Sequence, residues 1–267
     1  MFQFDMLGNE QKDTIIKAIG IGKTGEAALD RAAGGEERTV EILTGSADSG
    51  LKSAQENLAG TDLLLLAVDA DNKEDVDSAC VMIKAAKAEK NLVFSFALSS
   101  VESQKDGTEG IACLEAETDA LFIVPKNSGD PAGNDVFADA LRAMLQFMKL
   151  FSPGSGAIIP VNFEDFKKLF ANAGRSFFGV GMSKGDECSV LAAREAIGKP
   201  IATAGSPNPK FSKAAVHMET GDSATMFDMQ KAIDVIAAVS VKDPEVIWGN
   251  SVSPDMADAF RVIVLAV

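Results

Sequence analysis

Residues 63–68 read LLLLAV, six positions without one polar side chain. A continuous apolar strand of this kind is buried on both faces, as in a parallel sheet covered by helices on either side. The surrounding chain repeats that grammar. A strand over 14–19 leads into a glycine turn (Gly20, Gly22, Gly25) and a helix from about Glu26 to Ala33. RTVEIL (38–43) is a strand by its β-branched alternation, and a polar helix is expected across 47–59. The apolar strand (61–69) is followed by a helix over 73–90, with Val76, Cys80 and Ile83 at helical spacing, and then by strands at 91–98 and 119–125. Repeated strand–helix–strand units predict an α/β fold with a doubly wound parallel sheet. Residues 133–151 form a long helix, apolar on most faces, of the kind buried between layers or domains. Beyond Ser152 the gaps lengthen: strands at 175–183, 212–220, 244–251 and 259–266 enclose helices near 185–197 and 226–239. The expected organisation is therefore a first domain (1–132), a central linking helix (133–152) and a smaller α/β domain (153–267).

Charge and composition exclude several functions. The 267 residues carry a net charge of −14, which repels nucleic acid and anionic membrane surfaces. The opening MFQFDMLGNEQKD has no basic region followed by an apolar core, so no signal peptide is expected. The apolar run at 63–68 is far short of the roughly 20 residues a spanning helix needs. Cys80, Cys113 and Cys188 are odd in number and widely spaced, which argues against a disulfide framework or a zinc site. The single histidine, His217, sits in an apparent strand and reads as a packing residue, so neither a histidine triad nor a histidine-rich metal centre is expected. These features describe a reduced, cytoplasmic protein without a structural metal.

The tempting motif is Gly22-Lys23-Thr24, at the junction of the first strand and helix. A Walker loop requires a glycine five residues before its Gly-Lys-Thr, where it lets the backbone wrap a phosphate. That position is Lys17. The Walker reading fails, and what remains is the glycine-rich opening of a nucleotide-binding α/β fold. An EF-hand reading of the acidic stretch DADNKED fails similarly, because the sixth position is Glu74 and the twelfth is Cys80.

Four blocks, taken in order, resemble FtsZ, the bacterial tubulin relative. IKAIGIG (16–22) resembles its first strand, and ALFIVPKN (120–127) the strand before its central helix. GVGMSKGDECSVLAAREAIGKP (179–200) resembles the segment after its catalytic loop. GNSVSPDMADAFRVIV (249–264) resembles its final strand pair. The resemblance implies a nucleotide domain, a long linking helix and a smaller activation domain over nearly the whole chain.

Set beside the family's pattern, the nucleotide loops depart from it. FtsZ carries a glycine-rich signature after its third parallel strand, where backbone N–H groups cradle phosphates that a side chain would obstruct. The matching stretch here is 69–79, and no glycine occurs between Gly60 and Gly107. Asp69, Asp71, Glu74, Asp75 and Asp77 stand against Lys73 alone, and like charges at about 4 Å repel by roughly 1 kcal/mol even in water. The first loop has Lys23, Thr24 and Glu26 where FtsZ is nearly continuous glycine, so Gly20, Gly22, Lys23, Thr24 and Gly25 are expected to be a vestigial nucleotide site. Only residues 44–60 separate the second and third strands, where FtsZ carries longer nucleotide-edge loops. Leu141 falls about where the family reads guanine with Asp or Asn, and leucine cannot pair with that base. The loop FtsZ inserts into its neighbour's site corresponds to PVNFED (160–165), with Pro160 for Asn, Asn162 for the first Asp, and Asp165 retained. An amide lacks the charge to polarise water, so Asn162 and Asp165 are a vestigial catalytic pair that reads better as a helix start.

The expected function is that of a non-hydrolysing FtsZ-like assembly protein, a pseudo-GTPase without a cofactor. Its partner would be itself or an FtsZ-type filament. The chain ends at Val267 without the family's C-terminal linker and peptide, so no direct membrane anchor is expected. Pro160, Asn162, Asp165, Lys167 and Lys168 mark the expected lower contact face, and Asp69, Asp71 and Asp75 the upper. The alternatives are an enzyme, a divergent GTPase binding GTP through Lys23 and Thr24, and a module binding another ligand in the vacated cleft.

Overall fold

A computed structural model of the chain describes residues 14–34, 41–45, 58–100, 109–126, 134–151, 157–202 and 210–267. The expected polar helix at 47–59 and the start of the 38–43 strand lie largely outside these residues. In chain order the elements are β1 (Ile16–Ile21), α1 (Gly22–Ala33), β2 (Glu41–Gly45), β3 (Leu63–Asp69), α2 (Lys73–Ala88), β4 (Leu92–Ser99), α3 (Glu109–Glu117), β5 (Ala120–Pro125) and α4 (Asn134–Met148). There follow β6 (Ala157–Ile159), α5 (Phe163–Phe170), β7 (Gly174–Arg175), β8 (Phe177–Lys184), α6 (Cys188–Gly198), β9 (Pro200–Ala202), β10 (Lys213–Thr220), α7 (Met226–Ala237), β11 (Glu245–Val252) and β12 (Ala259–Ala266).

The first sheet has the order β2-β1-β3-β4-β5-β7 with every pairing parallel. Its centre is the apolar run of β3, whose residues 63–68 are each at most 2 % exposed. The second sheet, β6-β11-β10-β12-β8-β9, is mixed: β10 and β11 are parallel and all other neighbours antiparallel. Both features agree with the expected α/β architecture.

Between the sheets lies α4, continued by a 3-10 turn at Lys149–Phe151. Its residues Phe137, Ala140, Leu141, Met144, Phe147 and Met148 join one cluster with Phe94, Phe96 and Phe122 of the first sheet and Phe178, Ile263 and Leu265 of the second. The chain has 16 Phe and no Tyr, so this aromatic core carries no hydroxyl in need of a partner. Phe166 of α5 is its hub, with ring centroids 5.7 Å from Phe94, 5.7 Å from Phe147 and 4.8 Å from Phe151.

The expected domain scheme separates everything after 152 from the first sheet, but after the short β6, which pairs with β11, the chain turns back to the first sheet. α5 packs Phe166 and Phe170 against Phe94, and β7 then pairs with β5 through Ala120↔Gly174 and Leu121↔Arg175. Only from β8 onward does the chain build the second sheet's main strands.

Candidate functional site

At the first strand–helix junction the helix begins earlier than the expected glycine turn implies. β1 runs to Ile21 and α1 begins at Gly22, four residues before Glu26. The reason is steric. A Cβ on Gly20 would lie 2.5 Å from the Glu26 backbone nitrogen, and one on Gly25 would lie 2.2 Å from the Ala67 carbonyl oxygen. These two glycines let α1 seat directly on β1 and β3, which leaves no loop to wrap a phosphate. Gly22 has φ of +69°, and a Cβ there would be 2.3 Å from each carboxylate oxygen of Asp75. Asp75, in the first turn of α2, thus sets its carboxylate against the first residue of α1. That helix has Ile21 at its N-cap, with no side-chain cap bond, and no acidic residue in its first turn. A carboxylate here meets the positive end of the α1 dipole, where an anionic ligand would otherwise be favoured. Lys23 is exposed and Thr24 half-buried in the same turn.

Across the cleft, α2 starts from Asn72, whose side chain accepts from the backbone N–H of Glu74 (3.0 Å) and Asp75 (3.4 Å). The acidic segment before it is not opposed by Lys73 alone. Lys126, at the end of β5, donates to Asp69 (2.8 and 3.1 Å) and to Asp71 (2.9 Å). Asp71 also accepts from the Ser100 backbone N–H (3.0 Å) and the Ser99 hydroxyl (3.3 Å). Asp69 and Asp71 therefore clasp the ends of β3, β4 and β5. Burial pulls the Lys126 pKa down, but its hydrogen bonds to Asp69 and Asp71, with their charges, outweigh it and the net shift is upward. Asp75 has no such cation among the described residues. Burial, then the charges of Asp69, Glu74 and Glu26, hold its carboxyl above the usual range.

Removing the cation should expose the repulsion. Lys126→Met leaves two partly buried carboxylates facing each other, and is expected to cost about 2 kcal/mol at neutral pH. Urea denaturation should show that loss shrinking below about pH 4, where carboxylates take up protons.

The lower set of residues lies at the opposite end of β4 from this clasp. Asn162 caps α5, accepting from the backbone N–H of Glu164 (2.8 Å) and Asp165 (3.3 Å), as its sequence context predicts. Asp165 pairs with Lys168 at 3.1 Å, and Lys167 donates to the Lys90 carbonyl at 3.0 Å. Pro160 is exposed. Both lysines expected to reach a neighbour's carboxylates thus have partners in their own chain, as do Asp69 and Asp71. Leu141 is 2 % exposed and sits in the core.

His217 is 4 % exposed on β10, with Nε2 2.8 Å from the Ser251 hydroxyl and its ring edge-on to Phe147. Burial, then the nearby Arg261 charge, pushes its pKa down to about 4. It lines a cleft with Gln146, Lys149, Glu219 and Ser253. Among the described residues no His, Cys, Asp and Glu group is arranged to hold a metal ion, and no helix is long and apolar enough to cross a membrane.

With this geometry established, similarity to known proteins is informative. Residues 174–267 match the FtsZ family, C-terminal domain. A tryptophan-to-tyrosine variant of FtsZ from M. jannaschii superposes with a TM-score of 0.82 at 16% identity, covering 97% of this chain and 92% of that one. An empty FtsZ dimer from M. jannaschii gives 0.79 at 16%, covering 96% and 89%. CetZ2 from Haloferax volcanii, a GTPγS-bound protofilament, gives 0.67 at 15%, covering 95% and 92%. The chain has the FtsZ/tubulin fold.

Proposed function

We propose that this is a filament or assembly protein of the FtsZ/tubulin fold that self-associates without binding or hydrolysing GTP. The observation that carries the reading is Asp75, whose carboxylate stands against Gly22 at the start of α1. A triphosphate entering there meets Asp75 and Glu26, and Lys126 at the end of β5 is already held by two carboxylates. The absence of glycine from 61 to 106 supports the same reading, because no bare backbone is offered for close approach. Asn162, in a helix-capping role, supports loss of water activation.

Self-association is supported by the similar proteins solved as a dimer and a protofilament. The lower face around Pro160, Asn162 and Asp165 would meet the upper face around Asp75. Lys167 and Lys168 add little to that contact, since exposed pairs contribute only about 0–1 kcal/mol each and these already have partners. More area is available where β10 and β11 end. Ile158, Met226 and Phe227 are 66%, 60% and 68% exposed near those ends and would add apolar contact with a neighbouring copy. Co-assembly with an FtsZ-type filament in the cytoplasm would use the same faces.

The test is nucleotide binding by the purified protein. Titration with a fluorescent GTP analogue and magnesium is expected to show no saturation below millimolar concentrations. Near-stoichiometric nucleotide in the purified protein, or tight binding lost in Lys23→Ala, would instead establish the divergent GTPase.

A further inference from the structure

Two of the three cysteines, far apart in sequence, meet where α2 packs against α3. Both helices follow strands of the parallel sheet and lie side by side in the same direction, and three successive contacts fix their register. At one end a Cβ on Gly110 would be 2.6 Å from the Ala70 carbonyl oxygen and 3.2 Å from a Val76 methyl, so the helices approach closely. At the other end Lys84 pairs with Glu117 at 3.4 Å. Midway between, one turn on from Val76 and one from Gly110, stand Cys80 and Cys113. Cys80 lies in the apolar cluster beneath the sheet and Cys113 packs against it, close enough that its thiol bears on the ionisation of the Cys80 thiol. Cys80 is 6 % exposed, while Cys113 is half-buried and reaches solvent. Cys188 belongs to the second sheet's cluster.

We propose that Cys80 and Cys113 are a reversible oxidation site, at which hydrogen peroxide converts the two thiols into a disulfide joining α2 to α3. Cys113, the accessible thiol, attacks one peroxide oxygen as thiolate. The O–O bond breaks, a sulfenic acid forms, and the departing hydroxide takes up a proton to become water. The Cys80 sulfur then attacks the sulfenic sulfur, the S–O bond breaks, and the second hydroxide leaves as water with the Cys80 proton. Two thiols are oxidised by two electrons and one peroxide is reduced to two waters. Burial first, then the neighbouring Cys113 thiol, pushes the Cys80 thiol up to about 12, which leaves the first attack on the peroxide to Cys113. The bond would tie together the two helices that flank the acidic clasp, since α2 begins beside Asp69 and Asp71 and α3 rests on Ala70.

The intact chain is treated with hydrogen peroxide, denatured in alkylating reagent and mapped by mass spectrometry without reductant. The expected result is a loss of two hydrogens and a cross-linked peptide pair containing Cys80 and Cys113, both reversed by dithiothreitol, with Cys188 alkylated throughout. Cys80→Ser should leave a Cys113 sulfenic acid that dimedone captures, and Cys113→Ser should leave Cys80 unmodified. The wild-type map decides even where a variant folds poorly. Cys80 remaining fully alkylatable while Cys113 is overoxidised, or a bond that includes Cys188, would overturn the proposal.

Discussion

Phe166→Ala is expected to destabilise the protein by about 3–5 kcal/mol, the largest effect of any single truncation considered. Phe166 is fully buried, and its ring touches Phe94 on the first sheet, Phe147 and Phe151 on the central helix and its continuation, and Phe163 and Phe170 on its own helix. The cost is transfer of the lost ring to water plus a cavity that three separate elements cannot collapse to fill. Loss of α5 packing should also loosen β7, which follows it into the first sheet. Urea unfolding monitored by circular dichroism checks the number. A cost below about 1 kcal/mol would mean that the two sheets do not share the core described.

The second large effect is acid sensitivity through His217. Its pKa falls from 6.5 to about 4 on folding, so between those values the unfolded chain binds a proton that the folded chain refuses. Stability therefore rises with pH across this window and is lost as pH falls through it. At about 1.4 kcal/mol per unit the full contribution is about 3 kcal/mol. Carboxylates also titrate there, so the wild type must be compared with His217→Gln, which removes the titration and keeps a polar group near Ser251. The expected difference is a shallower slope of stability against pH for the variant between about pH 6.5 and 4. Equal slopes would show that the imidazole is not neutral and buried in the folded state.

Much of this fold was legible in the sequence because its signals are local. The apolar run of β3 demanded burial on both faces, and β12 was read residue for residue from AFRVIVLA. The Asn162 cap was equally local, since a side chain three residues from Asp165 needs no distant partner. The short strands β6, β7 and β9 carry too few residues to show a period, and α3 is a single short amphipathic stretch. Pairings across the sheet were hidden for a different reason. Lys126 meets Asp69 only because β3, β4 and β5 align in register, and the Cys80–Cys113 contact depends on how α2 settles against α3. At the cleft, the run of acids was visible, but not that Asp75 would stand against Gly22 while Asp69 and Asp71 were neutralised by Lys126.

These corrections sharpen the functional account. Charge pairing between neighbours through Lys167 and Lys168 loses most of its appeal once both have partners in their own chain, whereas the exposed Met226, Phe227 and Ile158 remain available to a second copy. The central claim is that assembly does not depend on GTP. Analytical sedimentation of the purified protein over a range of concentrations, with and without GTP and magnesium, tests it most directly. The account predicts the same concentration-dependent association in both conditions, reduced by Phe227→Glu in each. Association that appears only with GTP, or a monomer at every concentration, would contradict it.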